Sequence, residues 1–278
     1  KKSKVQKNSN LKLSFRMNVF FIFPYVYMFC SKDNVFRRAS GFMWWENRIF
    51  AFGINKIHAM KVINFAETNS VINQYVAEIR DVNIQGDRMR FRRNIERIGE
   101  LMAYEMSKEL TYSVKQVQTP LGVAPVSTPD DDVVIATVFR AGLPLHQGFL
   151  NVFDRAGNAF VSAYRYYKDK ECRELDVHIE YIATTDLTQK TLMLVDPMLA
   201  TGESMELAYR AFLSKGRPAR LLIACVIASR QGVVHLQRLF PEDDVTLWCA
   251  AIDPELNERS YIVPGLGDAG DLAYGDKL

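Results

Sequence analysis

Four stretches of this chain are apolar almost without interruption: VVIATVF at 133–139, TLMLV at 191–195, LLIACVIA at 221–228 and VTLWCAAI at 245–252. A strand with one wet face alternates polar and apolar residues, whereas a strand that is apolar throughout must be covered on both faces. Segments with helical character lie among them: AGLPLHQGFLNVF (141–153), a stretch from about Glu203 to Lys215, and GVVHLQRLF (232–240). NAFVSAYRY (158–166) and VHIEYIA (177–183) read as further strands. Buried strands alternating with helices imply parallel crossovers, so the expected class is α/β, with an open, mainly parallel sheet flanked by helices. Such sheets bind ligands beyond the carboxyl ends of their strands. The polar residues that follow each apolar run therefore carry the functional information.

Upstream of the sheet, Asn69 or Ser70 is placed to cap a short helix running through Ile79. Phe91, Ile95, Ile98, Met102 and Met106 then recur at three- and four-residue steps, which puts them on one face of a longer helix. The stretch TYSVKQVQTPLGVAPVSTPDDD (111–132) is rich in β-branched residues, Pro and turn formers, and reads as a hairpin arm.

The first 59 residues follow a different pattern. They hold 13 of the 32 aromatic residues with neither helical nor strand periodicity, and 11 Lys/Arg against 2 Asp/Glu. The remaining 219 residues carry 24 basic and 30 acidic side chains, so the overall +3 conceals a mildly acidic body. MNVFFIFPYVYMFC (17–30) follows a basic stretch as a signal peptide's apolar core would. It lacks a small-residue cleavage site, Pro24 interrupts it, and it is shorter than the roughly 20 residues a membrane span requires. Orderly patterning begins at Met60. Residues 1–59 are therefore expected to be an atypical extension outside the catalytic fold, with a membrane-surface anchor and a partner-binding arm as the other readings; residues 60–278 form the functional domain.

Charge and cysteine usage narrow the classes further. RMRFRR at 88–93 is the one dense basic run after Met60, and it reads as the solvated face of a helix, so no nucleic-acid partner and no membrane partner are expected. Cys30, Cys172, Cys225 and Cys249 show no CxxC spacing, and the last two lie inside apolar runs, which fits a reducing cytoplasm. His58, His146, His178 and His235 are dispersed, so no protein metal cage is expected.

Arg140 follows the first apolar run, Arg165 ends NAFVSAYR, and Asp196 follows TLMLV and opens the loop LVDPMLATGESM (194–205). Two guanidinium forks at one sheet edge suit bidentate phosphate contacts. In the loop, Gly202 can adopt positive φ, Thr201 and Ser204 offer hydroxyls, and the backbone N–H groups at the start of the next helix point at a common spot. That arrangement holds a phosphate monoester without a lysine. The GK[ST] of a Walker loop is absent, so ATP hydrolysis of that kind is disfavoured. An acid beside a phosphate cradle needs another partner on the ligand, and ribose hydroxyls supply one for Asp196.

LVDPMLATGESM resembles the 5-phosphoribosyl 1-pyrophosphate (PRPP) loop of the type I phosphoribosyltransferases, and its Asp-Pro-Met-Leu-Ala-Thr-Gly order resembles the uracil phosphoribosyltransferases in particular. YIVPGLGDAGDLAYG (261–275) is similar to that family's C-terminal uracil-binding signature, and FRAGL (139–143) to its pyrophosphate-contacting strand end. The resemblance spans about Met60 to Leu278. It implies a type I phosphoribosyltransferase fold with a β-hairpin arm and a C-terminal base-binding hood, and the reaction uracil + PRPP → UMP + pyrophosphate. PRPP would be held by Arg140, Arg165, Asp196, Pro197, Met198, Leu199, Ala200, Thr201, Gly202, Glu203, Ser204 and Asp268, and uracil by Ile262, Gly267, Asp268 and Ala269. The catalytic set it implies is Arg140, Asp196 and Asp268, with Mg²⁺ bound through PRPP rather than by protein ligands. GTP as an effector, a homo-oligomeric assembly and a cytoplasmic location are further implications. Many relatives carry a second acid after the loop's first Asp; Pro197 stands there instead, which leaves Asp268 as the candidate for proton or metal-water contact. Glu203 stands where the family usually has a small residue, and its side chain is expected to turn outward.

The glycine-rich turn GLGDA can offer backbone donors and acceptors complementary to the O2, N3–H, O4 edge of uracil. Three other readings stay open: a pyrimidine-responsive RNA-binding regulator of the same fold, against which the acidic body counts, a phosphoribosyltransferase for another base, and an inactive structural paralogue, for which the unusual Glu203 is the ground.

Overall fold

The apolar runs become the strands of one sheet. The computed structural model describes the backbone of residues 60–167, 175–240 and 245–276, the side chains of 60–162, 180–240 and 245–276, and the backbone of four short strands before residue 52. The chain divides into two compact units, Lys1–Ile57 and His58–Leu278. The first holds β1 (Val19–Ile22), β2 (Tyr25–Met28), β3 (Phe42–Trp45) and β4 (Arg48–Ala51), paired antiparallel as β1–β2 and β3–β4.

The second unit runs β5 (Lys61–Asn64), α1 (Ile72–Arg80), α2 (Arg88–Ser107), β6 (Tyr112–Thr119), β7 (Gly122–Pro129), β8 (Val133–Val138), α3 (Leu143–Val152), β9 (Gly157–Tyr167) and β10 (Leu175–Ala183). It continues with β11 (Thr191–Val195), β12 (Met198–Leu199), α4 (Glu203–Leu213), β13 (Arg220–Ser229), α5 (Arg230–Leu239), β14 (Val245–Asp253), β15 (Glu255–Leu256), β16 (Ile262–Val263) and α6 (Ala269–Tyr274). The main sheet has the order β10–β9–β8–β11–β13–β14–β5, with β12 also pairing β13. Every pairing in it is parallel except β9 with β10 at the edge. The expected α/β class with a mainly parallel sheet is what the chain adopts.

Burial on both faces follows the period of two along each strand. Val133 and Ile135 of β8, Met193 and Val195 of β11, and Leu222 and Ala224 of β13 pack with Phe91, Ile95, Ile98, Met102 and Met106 of α2 and with Phe149 of α3. Their neighbours Val134, Ala136, Leu192, Leu194, Leu221 and Ile223 point the other way, onto Met205, Ala208 and Phe212 of α4 and Leu236 of α5. Phe149 and Phe212 are fully enclosed, and each buried aromatic of this size contributes about 1.5–3 kcal/mol relative to an exposed one. All five periodic residues of α2 are buried, as its spacing predicts.

Local differences have local causes. α1 begins at Ile72, with Val71 at the N-cap, one or two residues later than the polar pair suggests, because the Ser70 hydroxyl accepts the N–H of Ile72 and holds the preceding turn. β6 and β7 pair in register from Tyr112↔Pro129 to Thr119↔Gly122 as the expected hairpin. The arginines of 88–93 are more engaged than a solvated face requires: Arg90 pairs with Glu78, Arg93 with Glu96, and Arg92 donates to the Ala273 carbonyl. Among the described residues no helix is long and apolar enough to cross a membrane.

Candidate active site

The carboxyl ends of β8 and β11 open into a cavity of about 280 Å³ whose far wall is the segment 260–270. Parallel strands in register deliver this geometry: Thr137 and Val195 are paired, and the Thr137 hydroxyl donates to the Val195 carbonyl at 2.9 Å, fixing the two strand ends side by side. Immediately beyond them stand Arg140 and Asp196.

The loop from 196 to 202 is pinned along its outer edge to β13. Ala224 accepts the N–H of Asp196, the Pro197 carbonyl accepts the N–H groups of Val226 and Ile227, and Met198 and Leu199 pair with Ile227 and Ala228. Ser229 then acts twice: its hydroxyl donates to the Ala200 carbonyl at 2.5 Å and accepts the N–H of Gly232 as the N-cap of α5. A Cβ on Gly232 would lie 2.5 Å from the Ala200 carbonyl oxygen, so α5 can approach the loop only with glycine there. Gly202 closes the loop at φ +88° as the N-cap of α4. The first turn of α4 thereby presents its positive end to the cavity, which Gly202, Ser204 and Met205 line.

Asp196 is partly exposed, yet protein packs closely around its carboxyl group. Desolvation pushes its pKa up to about 7, opposed in part by a hydrogen bond from the Met198 N–H. Arg140 is tied to the C-terminal segment: Nη2 donates to Asp271 Oδ1 at 3.1 Å and to the Gly275 carbonyl at 3.2 Å, while Nε is buried without a partner among the described residues. The peptide bond joining Phe139 to Arg140 is cis.

The far wall is a short hood. β15 and β16 pair antiparallel, and Asn257 organises the turn between them by accepting the N–H groups of Arg259 and Tyr261 on its side-chain oxygen. After β16 come Gly265 (φ +58°) and Gly267 (φ +96°), and then Asp268, whose Oδ1 accepts the N–H of Asp271 as the N-cap of α6. Asp268 thus has a structural duty that leaves its second oxygen for other partners.

Most of the residues singled out from sequence meet here. Arg140, Asp196, Met198, Leu199, Ala200, Thr201, Gly202 and Ser204 share the cavity with Ile262, Gly267, Asp268 and Ala269. Pro197 and Glu203 do not line it. Pro197 is buried beneath the loop, with its carbonyl held by β13. Glu203 lines a neighbouring depression with Arg230, His235 and Arg238, and its Oε2 accepts the Thr201 hydroxyl at 3.1 Å. The Arg165 side chain lies outside the described residues. Val138, Phe139, Ala141, Met205, Ser260, Tyr261 and Gly270 also line the cavity without having been assigned to it from sequence; they lie within or beside the recognised motifs, and that adjacency is the signal that points to them. Among the described residues there is no group of three or more His, Cys, Asp or Glu able to hold a metal ion.

Comparison with known proteins gives the family. The chain is 60% identical over 219 residues to a uracil phosphoribosyltransferase of Porphyromonas gingivalis, covering 79% of this chain and 100% of that one. It is 36% identical to a protein of that name from Metallosphaera sedula, covering 72% of this chain and 94% of the relative. The AQ2163 protein of Aquifex aeolicus superposes with a TM-score of 0.67 at 28% identity, covering 77% of this chain and 98% of that structure. The family model for uracil phosphoribosyltransferase matches residues 66–276, and the chain belongs to the uracil phosphoribosyltransferase family.

Proposed function

We propose that the protein transfers the phosphoribosyl group of PRPP to N1 of uracil, giving UMP and pyrophosphate. One observation carries the reading: a single cavity is walled on one side by the 196–204 loop and Arg140 and on the other by the 262–269 turn. A nucleotide laid across it has its 5′-phosphate at the start of α4, its ribose hydroxyls at Asp196 and its base against the glycine turn.

Uracil N1 gives up its proton, to Asp268 or water, and forms a bond to ribose C1′ while the bond from C1′ to the pyrophosphate oxygen breaks with its electron pair going to pyrophosphate, and positive charge develops on the sugar ring in between. The chain's contribution is alignment of the two substrates and stabilisation of charge on the leaving group. Arg140 serves the pyrophosphate, exchanging its tie to Asp271 and Gly275 for phosphate oxygens, and Arg165 is assigned to the same group. Asp196, when ionised, accepts hydrogen bonds from the ribose hydroxyls. Asp268 is assigned proton or metal-water contact through the oxygen that its capping bond leaves over. Replacing it by Asn keeps a competent N-cap, so unchanged turnover in Asp268→Asn removes it from the chemistry.

Mg²⁺ belongs to this reading as an ion carried by PRPP rather than by protein ligands: a magnesium ion keeps most of its coordination on phosphate and water, and the second oxygen of Asp268, which lines the cavity, would meet one of those waters. When bound it neutralises charge on the pyrophosphate. The same reading includes GTP as an effector, assembly into homo-oligomers and a cytoplasmic location.

The test is UMP formation from PRPP, Mg²⁺ and uracil, with cytosine and hypoxanthine in parallel. Uracil is expected to be preferred over cytosine by about 10⁴ in kcat/KM, because cytosine's amino group would leave a buried N–H without an acceptor. Pyrophosphate release with hypoxanthine but not with uracil overturns the assignment of the base. RNA binding with no base-dependent pyrophosphate release overturns the enzymatic reading.

A further inference from the structure

Behind the glycine turn, outside the cavity, lies an ion pair that the reaction does not use. Asp253 ends β14 and is 5% exposed. Arg80, in the last turn of α1, donates from Nη1 to Asp253 Oδ2 and from Nη2 to Asp253 Oδ1, both at 2.8 Å. This is the bidentate fork that fixes direction as well as distance. The same groups reach the turn: Asp253 Oδ2 accepts the N–H of Gly265 at 2.8 Å, and Arg80 Nη1 donates to the Gly265 carbonyl at 3.0 Å. Both backbone polar groups of Gly265 are thus satisfied by one charge pair.

Gly265 cannot be exchanged for a larger residue, since a Cβ there would lie 2.1 Å from the Ile262 carbonyl oxygen and φ is +58°. A second tether comes from Gln85, whose Nε2 donates to the Leu266 carbonyl at 3.3 Å while also meeting the Ile79 and Arg80 carbonyls. The next residues, Gly267 to Ala269, reach the cavity wall. Arg80, Gln85 and Asp253 do not.

We propose that Arg80 and Asp253, assisted by Gln85, are positioning residues that set the register of the base-recognising turn and so determine affinity and selectivity for the pyrimidine. The proposal rests on the reading of 262–269 as the base site. A turn that carries hydrogen-bonding groups for a planar ring tolerates little displacement, and errors on the order of 1 Å cost up to about 100-fold. The phosphate loop is held separately, by β13 and Ser229, so the clamp acts on the base directly and on PRPP only through Asp268 in the turn.

The experiment is steady-state kinetics of the full chain carrying Arg80→Lys, Asp253→Asn or Gln85→Ala, with uracil and PRPP varied in turn and cytosine as a competing base. Arg80→Lys keeps the charge and loses the fork; KM for uracil is expected to rise by about ten-fold and the preference for uracil over cytosine to narrow, with a clearly smaller change in KM for PRPP. Asp253→Asn is expected to do the same, though it strands a half-buried guanidinium and can unfold the chain. Gln85→Ala removes only the neutral tether and is then decisive, with a rise of about three-fold in KM for uracil and a smaller one for PRPP. Parallel changes for both substrates, or folded Arg80→Lys and Gln85→Ala proteins with unaltered uracil kinetics, overturn the proposal. A wild-type chain that forms no UMP defeats the functional reading and the clamp together, whereas an active wild type whose variants fail the split defeats the clamp alone.

Discussion

Asp196 leaves β11 at the mouth of the cavity, and its environment disfavours its charge. Burial raises its pKa to about 7. Below about pH 4 the carboxyl is neutral both folded and unfolded, so it costs nothing. Between about 4 and 7 the unfolded chain releases the proton and the folded one holds it, so stability falls as pH rises, and above 7 the penalty is complete. Asp196→Asn is therefore expected to melt like the wild type at pH 4 and to be more stable by about 2–4 kcal/mol at pH 8, checked by denaturation across that range. Activity moves the other way, because the ionised form is acceptor-only and takes the ribose hydroxyls on two charged oxygens, whereas the neutral form must also place a proton of its own. The wild-type kcat/KM for PRPP is expected to fall with an apparent pKa near 7, and Asp196→Asn to be slow and to lack that limb; the titration of PRPP itself is common to both proteins. A gain in stability with loss of function at one residue is the expected mark of a site that stores unfavourable energy for its ligand. Sequence reading reached Asp196, Arg140 and Asp268 because each follows an apolar run or sits in a contiguous motif. It did not reach Arg80 and Asp253, which are 173 positions apart and unremarkable individually.

Among the elements, the loop that joins β11 to α4 depends on its support. Its sequence announces a phosphate cradle through Thr201, Gly202 and Ser204, and the helix that follows was legible from about Glu203. The bracing from β13 and α5 was not legible, since it consists of backbone groups meeting Ser229 and of a close approach at Gly232. Gly202 couples the two. Its φ of +88° strains any other residue, and a Cβ there would lie 2.8 Å from the ring of His235. That ring is itself held by Glu206 at 2.8 Å, so it cannot swing aside without breaking a bond. Gly202→Ala is expected to cost about 1–2 kcal/mol, seen as a melting temperature lower by about 2–4 °C or more. KM for PRPP is expected to rise more than KM for uracil, because the displaced N-cap moves the donors of the phosphate and leaves the hood in place. Equal changes in both would show that loop and hood do not move independently.

For the whole molecule, the question is how much of the chain the site requires. The residues lining the cavity fall between Val138 and Gly270, and the sheet that carries them is closed at its far edge by β5, whose Lys61 pairs with Thr246 of β14. Met60, just before that strand, is 2% exposed and packs in the core on the α4 and α5 side. Both faces of the sheet are covered by helices that start after residue 70, so the second unit contains its own core, the property that lets a domain fold alone. In the sequence the strand and helix periods begin at Met60, and the aromatic, basic stretch before it shows neither. A chain beginning at Met60 is therefore expected to fold, to melt cooperatively, and to form UMP with the kcat/KM of the full chain for both substrates. Truncation one strand further, at Phe65, removes β5 and exposes the edge of β14 along Thr246–Cys249; that protein is expected to be unstable and prone to aggregate, as unprotected edge strands are. If the chain from Met60 instead loses activity while the cavity residues are intact, the first 59 residues act on the site and their exclusion from the catalytic fold is wrong.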